Sequence, residues 1–135
     1  MRYVLAVLAC LMTGPVWAED GVFRSYQDLR EQLDPLMKSR QIAEVLTLFG
    51  GADEMTPQEL QTLEERVQTY FKRDFEEVAL IKQAEHLNGW RQELLAYWVG
   101  TEYIYVYILM HQREDAFLSV NFKFNSDFDE VNAAM

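Results

Sequence analysis

The stretch Asn88-Gly89-Trp90-Arg91-Gln92-Glu93-Leu94-Leu95-Ala96-Tyr97-Trp98-Val99-Gly100-Thr101-Glu102-Tyr103-Ile104-Tyr105-Val106-Tyr107-Ile108-Leu109-Met110-His111 reads as a turn, a strand, a second turn and another strand. Asn88-Gly89 is the strongest hairpin signal in the chain, because both residues tolerate the positive φ of a type I′ turn. Gly100-Thr101 is the second turn. Working outward, Val78 to Leu87 forms the strand before the first turn. Gln112-Arg113-Glu114-Asp115 is a charged loop, and Ala116 to Phe124 is a fourth strand. Asn125-Ser126-Asp127 opens a polar tail or a short terminal helix.

Residues 24–73 have the period of helices instead. Ser25 to Asp28 resembles a capping box, and Tyr26, Leu29, Leu33, Leu36 and Met37 share one helical face. Pro35 predicts a kink or a break at Asp34. Ile42, Val45, Leu46 and Phe49 form a second stripe that ends at Gly50-Gly51. Thr56, Pro57 and Glu59 are the N-cap, N1 and box-closing residues of a third helix. Its packed face carries Leu60, Leu63, Val67, Tyr70 and Phe71. Helices segregated from strands define an α+β fold: three N-terminal helices packed on a curved four-stranded antiparallel meander.

The 135 residues include 12 Lys plus Arg and 22 Asp plus Glu, a net charge of −10. Such a surface repels phosphate, so nucleic acid is not the expected partner. One cysteine cannot close a bridge within the chain. Residues 1–18 have the grammar of a cleaved signal peptide: Arg2, an apolar run, the breaker Gly14-Pro15, and Ala18 at the cut. A lipid anchor at Cys10, in Val7-Leu8-Ala9-Cys10, is the alternative. Cleavage after Ala18 leaves a single domain, residues 19–135, that is periplasmic or secreted, with no stable membrane insertion. That domain keeps every acidic residue and 11 of the 12 basic ones.

The turns set a register, and the register sorts side chains onto two faces. Leu87 should oppose Trp90, Trp98 should oppose Tyr103, and Tyr107 should oppose Val120. One face then carries Ile81, Trp90, Leu94, Trp98, Tyr103, Tyr105, Tyr107, Leu109, Leu118, Val120, Phe122 and Phe124. Being the more aromatic, it is expected beneath the helices. There Tyr103, Tyr105, Tyr107, Trp90 and Trp98 are the candidate lining for an apolar or aromatic ligand. The opposite face is apolar in its middle strands, and an uncovered apolar patch marks an interface. A symmetric homodimer through Leu95, Ile104, Val106 and Ile108 is therefore expected.

No catalytic residue, metal site or cofactor is assigned. His86 and His111 do not converge, and zinc needs three or four ligands. Asp127, Asp129 and Glu130 lack the glycine and distant glutamate of a calcium loop. Glu85, Glu93 and Glu102 are the acids whose burial would matter most to acid–base chemistry.

The capped helix from Thr56, with the strands Trp90–Val99, Tyr103–His111 and Leu118–Phe124, resembles the cystatin-like α+β cone, and most of all its nuclear-transport-factor-two-like group. The resemblance covers about residues 23–124. It implies dimerisation through the sheet and a pocket between sheet and helices, in proteins of which some are isomerases or dehydratases and many are non-catalytic. Gly50-Gly51-Ala52-Asp53 stands where the group has a strand, and its pattern of a pocket tyrosine with two acids has no match here by position. The expected function is an exported non-catalytic module that binds a small apolar or aromatic ligand or a protein partner through the aromatic face. The alternatives are a small pocket enzyme of the isomerase or hydrolase kind, or a purely structural dimer.

Overall fold

A computed structural model describes residues 20–135. The expected signal peptide and Cys10 lie outside the described residues. Among the described residues, no helix is long and apolar enough to cross a membrane. The chain is α+β. In order it forms β1 (Val22–Phe23), α1 (Tyr26–Lys38), α2 (Ile42–Phe49), α3 (Pro57–Tyr70), β2 (Glu77–Glu85), β3 (Trp90–Val99), β4 (Glu102–Gln112), β5 (Phe117–Asn125) and α4 (Phe128–Asn132). The strands make one antiparallel sheet in the order β1-β5-β4-β3-β2.

Two elements add to the expected count. The two-residue β1 pairs with β5 through Val22↔Leu118 and Phe23↔Phe117, too short to leave a periodic signal. The tail is helical: Asp127 caps α4 by accepting from the Asp129 N–H at 3.1 Å.

Local chemistry explains the helix ends. Ser25 caps α1 by accepting from the Asp28 N–H. The Thr56/Glu59 capping box closes in both directions. Gly50 takes the left-handed cap of α2 at φ 89°. The N-terminus of α2 has no side-chain cap of its own; the Ala43 N–H instead donates to Glu64 of α3 at 3.0 Å. Pro35 does not break α1, which is continuous to Lys38. Leu33 and Met37 are fully buried on either side of it, so tertiary packing offsets the one backbone hydrogen bond that proline deletes.

The register departs from expectation in steps. Asn88 and Gly89 both take positive φ, 61° and 84°. However, the His86 N–H pairs with the Trp90 carbonyl and leaves Leu87 as an extra residue, so β2 sits one residue off. A bulge at Ile81 shifts it again. β3 and β4 pair as expected, with Trp98↔Tyr103 and Ala96↔Tyr105. In β5, His111↔Leu118 leaves the faces unchanged, but a bulge at Val120 gives Ile108↔Phe122 and Val106↔Phe124. One extra residue moves Phe122 and Phe124 to the opposite face and sends Asn121 and Lys123 the other way.

The helices cover the face that was expected to be free. Leu95, Tyr97, Val99, Ile104, Val106, Ile108 and Met110 lie in one core with Leu29, Leu33, Met37, Ile42 and Val45 of the helices. Leu95, Ile104, Val106 and Ile108 are therefore buried within one chain and out of a partner's reach, which corrects the expected dimer interface. The physical reason is continuity. Aliphatic side chains on neighbouring strands form an unbroken apolar surface, whereas tyrosines tolerate half-exposure with their hydroxyls in water. The aromatic face lies on the outside, partly covered by α4, where Leu94, Tyr107 and Val131 form a small second core.

Ile108→Ala should cost about 2–5 kcal/mol, the usual range for truncating a buried aliphatic side chain. Val120→Ala, at a site 49% exposed, should fall within about 0.5 kcal/mol of wild type. Urea denaturation of both variants checks which face is buried.

Candidate binding cleft

A cleft of about 950 Å³ opens between the C-terminal half of α3 and the ends of β4 and β5. Its origin is geometric. α3 is tied to α2 through Glu64 and reaches the core through Val67 and Phe71. β5 pairs only as far as Asn125, opposite Tyr105, and the chain then turns away into α4. Leu63, Val67, Phe71, Ile104 and Phe124 supply the apolar lining; Thr62, Glu65, Arg66, Asn125 and Ser126 add polar groups. Tyr70, expected on the packed face of α3, is 69% exposed and stands edge-on to Phe71 at 4.8 Å. Phe71 leaves helical geometry at φ −107° and ψ 105° and turns into the core, while Tyr70, the last residue of α3, stays outside it. A smaller notch of about 310 Å³ continues from the cleft and shares Tyr70, Phe71 and Ser126 with it.

The five expected aromatic ligands do not form one site. Tyr107 is buried beneath α4, and its hydroxyl accepts from Gln92 at 2.9 Å. Trp90 stacks on His111 at 4.1 Å, next to the β2–β3 turn. Trp98, Tyr103, Tyr105 and Phe128 form a continuous row with centroid spacings of 5.8, 6.3 and 5.4 Å. Of the five, Tyr103 and Tyr105 line the notch. The expectation of a lined pocket beneath the helices fails with the face assignment, because these rings stand on the other side of the sheet.

A polar network lies where α1 crosses the sheet. Glu93 is 0% exposed and faces the helices. Its Oε1 accepts from the Tyr26 hydroxyl at 2.8 Å, and its Oε2 accepts from Arg91 Nε and Nη2 at 3.0 and 2.5 Å. The Arg91 guanidinium also lies 4.3 Å from the centre of the Tyr26 ring. Arg30 donates to the Tyr26 hydroxyl at 2.7 Å and to Asp34 at 3.0 Å. The Tyr97 hydroxyl donates to Asp34 Oδ1 at 2.7 Å. Tyr26, Arg30 and Asp34 recur every four residues on α1; Arg91, Glu93 and Tyr97 share one face of β3. Two cations, two carboxylates and two phenols thus cancel in charge and satisfy one another.

Burial, reinforced by Asp34, holds the Tyr97 phenol well above its ordinary pKa. Burial and the hydrogen bond to Glu93 raise that of Tyr26. For Arg91, burial opposes the charged form, but the bonds to Glu93 outweigh it and the net shift is upward. A tyrosine and two acids do meet here, yet both carboxylates are occupied, and none of the six residues lines the cleft or the notch. This constellation fastens α1 to the sheet.

The remaining titratable candidates stand apart. His86 Nε2 contacts Gln92 at 2.7 Å, and His111 Nε2 contacts the Asn88 carbonyl at 3.1 Å. Asp127 serves as a cap. Among the described residues no group of three or more metal-ligating side chains converges.

Known proteins add no assignment. No family, curated sequence or solved structure matches this chain. The cleft is therefore interpreted from its own chemistry.

Two measurements check the network. Arg91→Leu strands a fully buried carboxylate and should cost about 3–5 kcal/mol, the range for breaking a buried pair, while Arg91→Leu combined with Glu93→Met should recover most of it. Urea denaturation reads both. The raised phenol values make a separate pH prediction. The unfolded chain releases its tyrosine protons near pH 10, before the folded chain does, so stability present below that value is lost as pH rises above it. The expected slope is about 1.4 kcal/mol per pH unit for each such tyrosine. Denaturation compared at pH 8 and pH 11 should show a smaller drop in Tyr97→Phe than in wild type.

Proposed function

We propose that the protein is an exported, non-catalytic binding module that takes a small apolar ligand in the cleft between α3 and the ends of β4 and β5. The observation that carries this reading is the cleft itself: about 950 Å³, with Val67, Phe71, Ile104 and Phe124 among its lining. Ligand sites are concave, mostly apolar and supplied with a few polar groups that orient the occupant. Arg66, Glu65 and Asn125 are such groups here. The buried Glu93 and the half-buried Asp34 also favour binding over catalysis. Glu93 and Asp34 spend their oxygens on Arg91, Tyr26, Arg30 and Tyr97, and a general acid or base must be free to meet its substrate.

Export follows from the charge, apolar run and breaker of residues 1–18. The likeness to the nuclear-transport-factor-two-like group belongs to the same proposal. Helices laid on an antiparallel meander, with a void between helix and sheet, fit that group's plan, although fold likeness alone assigns no activity.

A thermal-shift screen of neutral apolar ligands tests the reading. A ligand at about a hundredfold excess over its Kd should stabilise the protein by about 2.7 kcal/mol. Ser126→Trp, placed on an exposed rim residue, should block the cleft and abolish the shift while leaving the unliganded Tm unchanged. No stabilisation across the library, or an equal shift in Ser126→Trp, overturns the proposal.

A further inference from the structure

We infer that the ligand of the cleft carries a carboxylate head bound by Arg66, so that the occupant is an apolar chain ending in a single negative charge. This rests on the reading of the cleft as a binding site and adds the chemistry of the head group. The placement of Arg66 follows from helical periodicity. Thr62, Arg66 and Tyr70 recur every four residues on α3 and form one stripe, and all three line the cleft. Successive helical residues turn by about 100°, so this stripe lies beside the packed one, with Arg66 about 60° from Leu63 and about 100° from Val67. Glu65 is the other charged side chain at the cleft. It lies about 160° from both Leu63 and Val67, and its carboxylate accepts from Gln61 at 3.3 Å. Arg66 therefore stands over the apolar lining, while Glu65 leans toward solvent.

Arg66 is also the cation of the cleft that no acid claims. Arg24, Arg30, Arg40, Arg91 and Arg113 each meet a carboxylate within ion-pair distance. Among the described residues Arg66 meets none, in a chain whose 22 acids outnumber its 12 bases. Thr62 and Tyr70, one turn to either side, present exposed hydroxyl donors on the same stripe. A guanidinium fork flanked by hydroxyls is complementary to a planar carboxylate, which accepts two parallel hydrogen bonds. One guanidinium balances one negative charge; a dianion would meet repulsion from Glu65 and from the net charge of −10.

Two features oppose an anion here, and each is countered. The C-terminal end of α3 carries partial negative charge, but Arg40 covers it by donating to the Phe71 carbonyl at 2.9 Å. Glu54 and Glu59 share with Arg66 a second hollow of about 760 Å³ along α3. Glu59 already accepts from the Thr56 N–H at 2.9 Å in the capping box, and neither acid lies within ion-pair distance of Arg66. A carboxylate held at Arg66 sends its chain past Leu63 and Val67 toward Ile104 and Phe124, the apolar lining of the cleft. Head and tail together describe one amphiphilic occupant, an aliphatic carboxylate.

Calorimetric titration of octanoate, 1-octanol, octyl phosphate and octylammonium into the full chain at neutral pH tests this. Octanoate should bind about fivefold more tightly than 1-octanol, the gain of an ion pair at an exposed arginine, with octyl phosphate weaker than octanoate and octylammonium weakest. Arg66→Gln should reduce the preference for octanoate over 1-octanol to about twofold or less. Arg73→Gln, which removes the same charge at a residue outside the cleft lining, should preserve it. The wild-type order of affinities decides the head group even if a variant fails to fold. Equal binding of octanoate and 1-octanol overturns the head-group inference and leaves the cleft reading standing. Binding of none of the four overturns both. Tightest binding of octyl phosphate or octylammonium, or an equal loss of preference in Arg73→Gln, overturns the assignment of a carboxylate to Arg66.

Discussion

Glu93 occupies a position where a charge would ordinarily be excluded. It lies on the sheet face that the helices cover, fully buried, with Leu95 two residues further along the same face. An ionised carboxylate there is tolerable only if both oxygens find donors, because the low-dielectric interior makes any shortfall expensive. Arg91 supplies two of the donors and Tyr26 the third. Tyr26 belongs to α1, so this requirement fixes which helical face meets the sheet and at what height. Arg30 and Asp34 extend the same stripe to Tyr97. Once α1 is seated, Leu29, Leu33 and Met37 enter the core, and the aromatic face of the sheet is left for α4 to cover.

The cleft follows from the same arrangement. α1 covers the middle of the sheet, and α2 and α3 follow as a pair, with α3 held to α2 by the Glu64 bond to the Ala43 N–H. Arg40, at φ 58°, joins the helical layer to the start of β2 through Asp74 and the Phe71 carbonyl. These ties hold the middle and the C-terminal end of α3 without pressing its length against the sheet. Where β5 stops short, space remains between Phe124 and Val67. The void is thus a product of unequal element lengths held by directional polar contacts, and such contacts keep a pocket open where apolar packing alone would tend to close it.

How much of this was legible in the sequence depended on the range of the interaction. The β3–β4 pairing was readable because the Gly100-Thr101 turn is local and the alternation is strict. The Thr56 box and the Gly50 cap were readable because a cap involves only neighbouring residues. The bulges at Ile81 and Val120 were not, since an extra residue in a strand leaves no distinctive local pattern. The identity of the covered face was not readable either. Aromatic content suggested one side; the continuity of aliphatic side chains across β3 and β4, together with a matching polar stripe on α1, selected the other. Of the cleft, Val67 and Phe71 were visible as a helix face, but their meeting with Ile104 and Phe124 joins parts of the chain far apart in sequence.

By itself, then, the sequence determined the α+β class, the order of its three main helices and four main strands, most element ends, the acidic balance and the exclusion of a disulfide scaffold. These depend on composition, periodicity and turn chemistry, which are properties of contiguous residues. Only the tertiary structure decided which sheet face is buried, that Leu95, Ile104, Val106 and Ile108 belong to the monomer's core, that Glu93 is a buried anchor, and where a cleft remains. Each of those depends on one surface meeting another, and an α-helix can turn any of its faces toward a sheet until specific side chains from both agree.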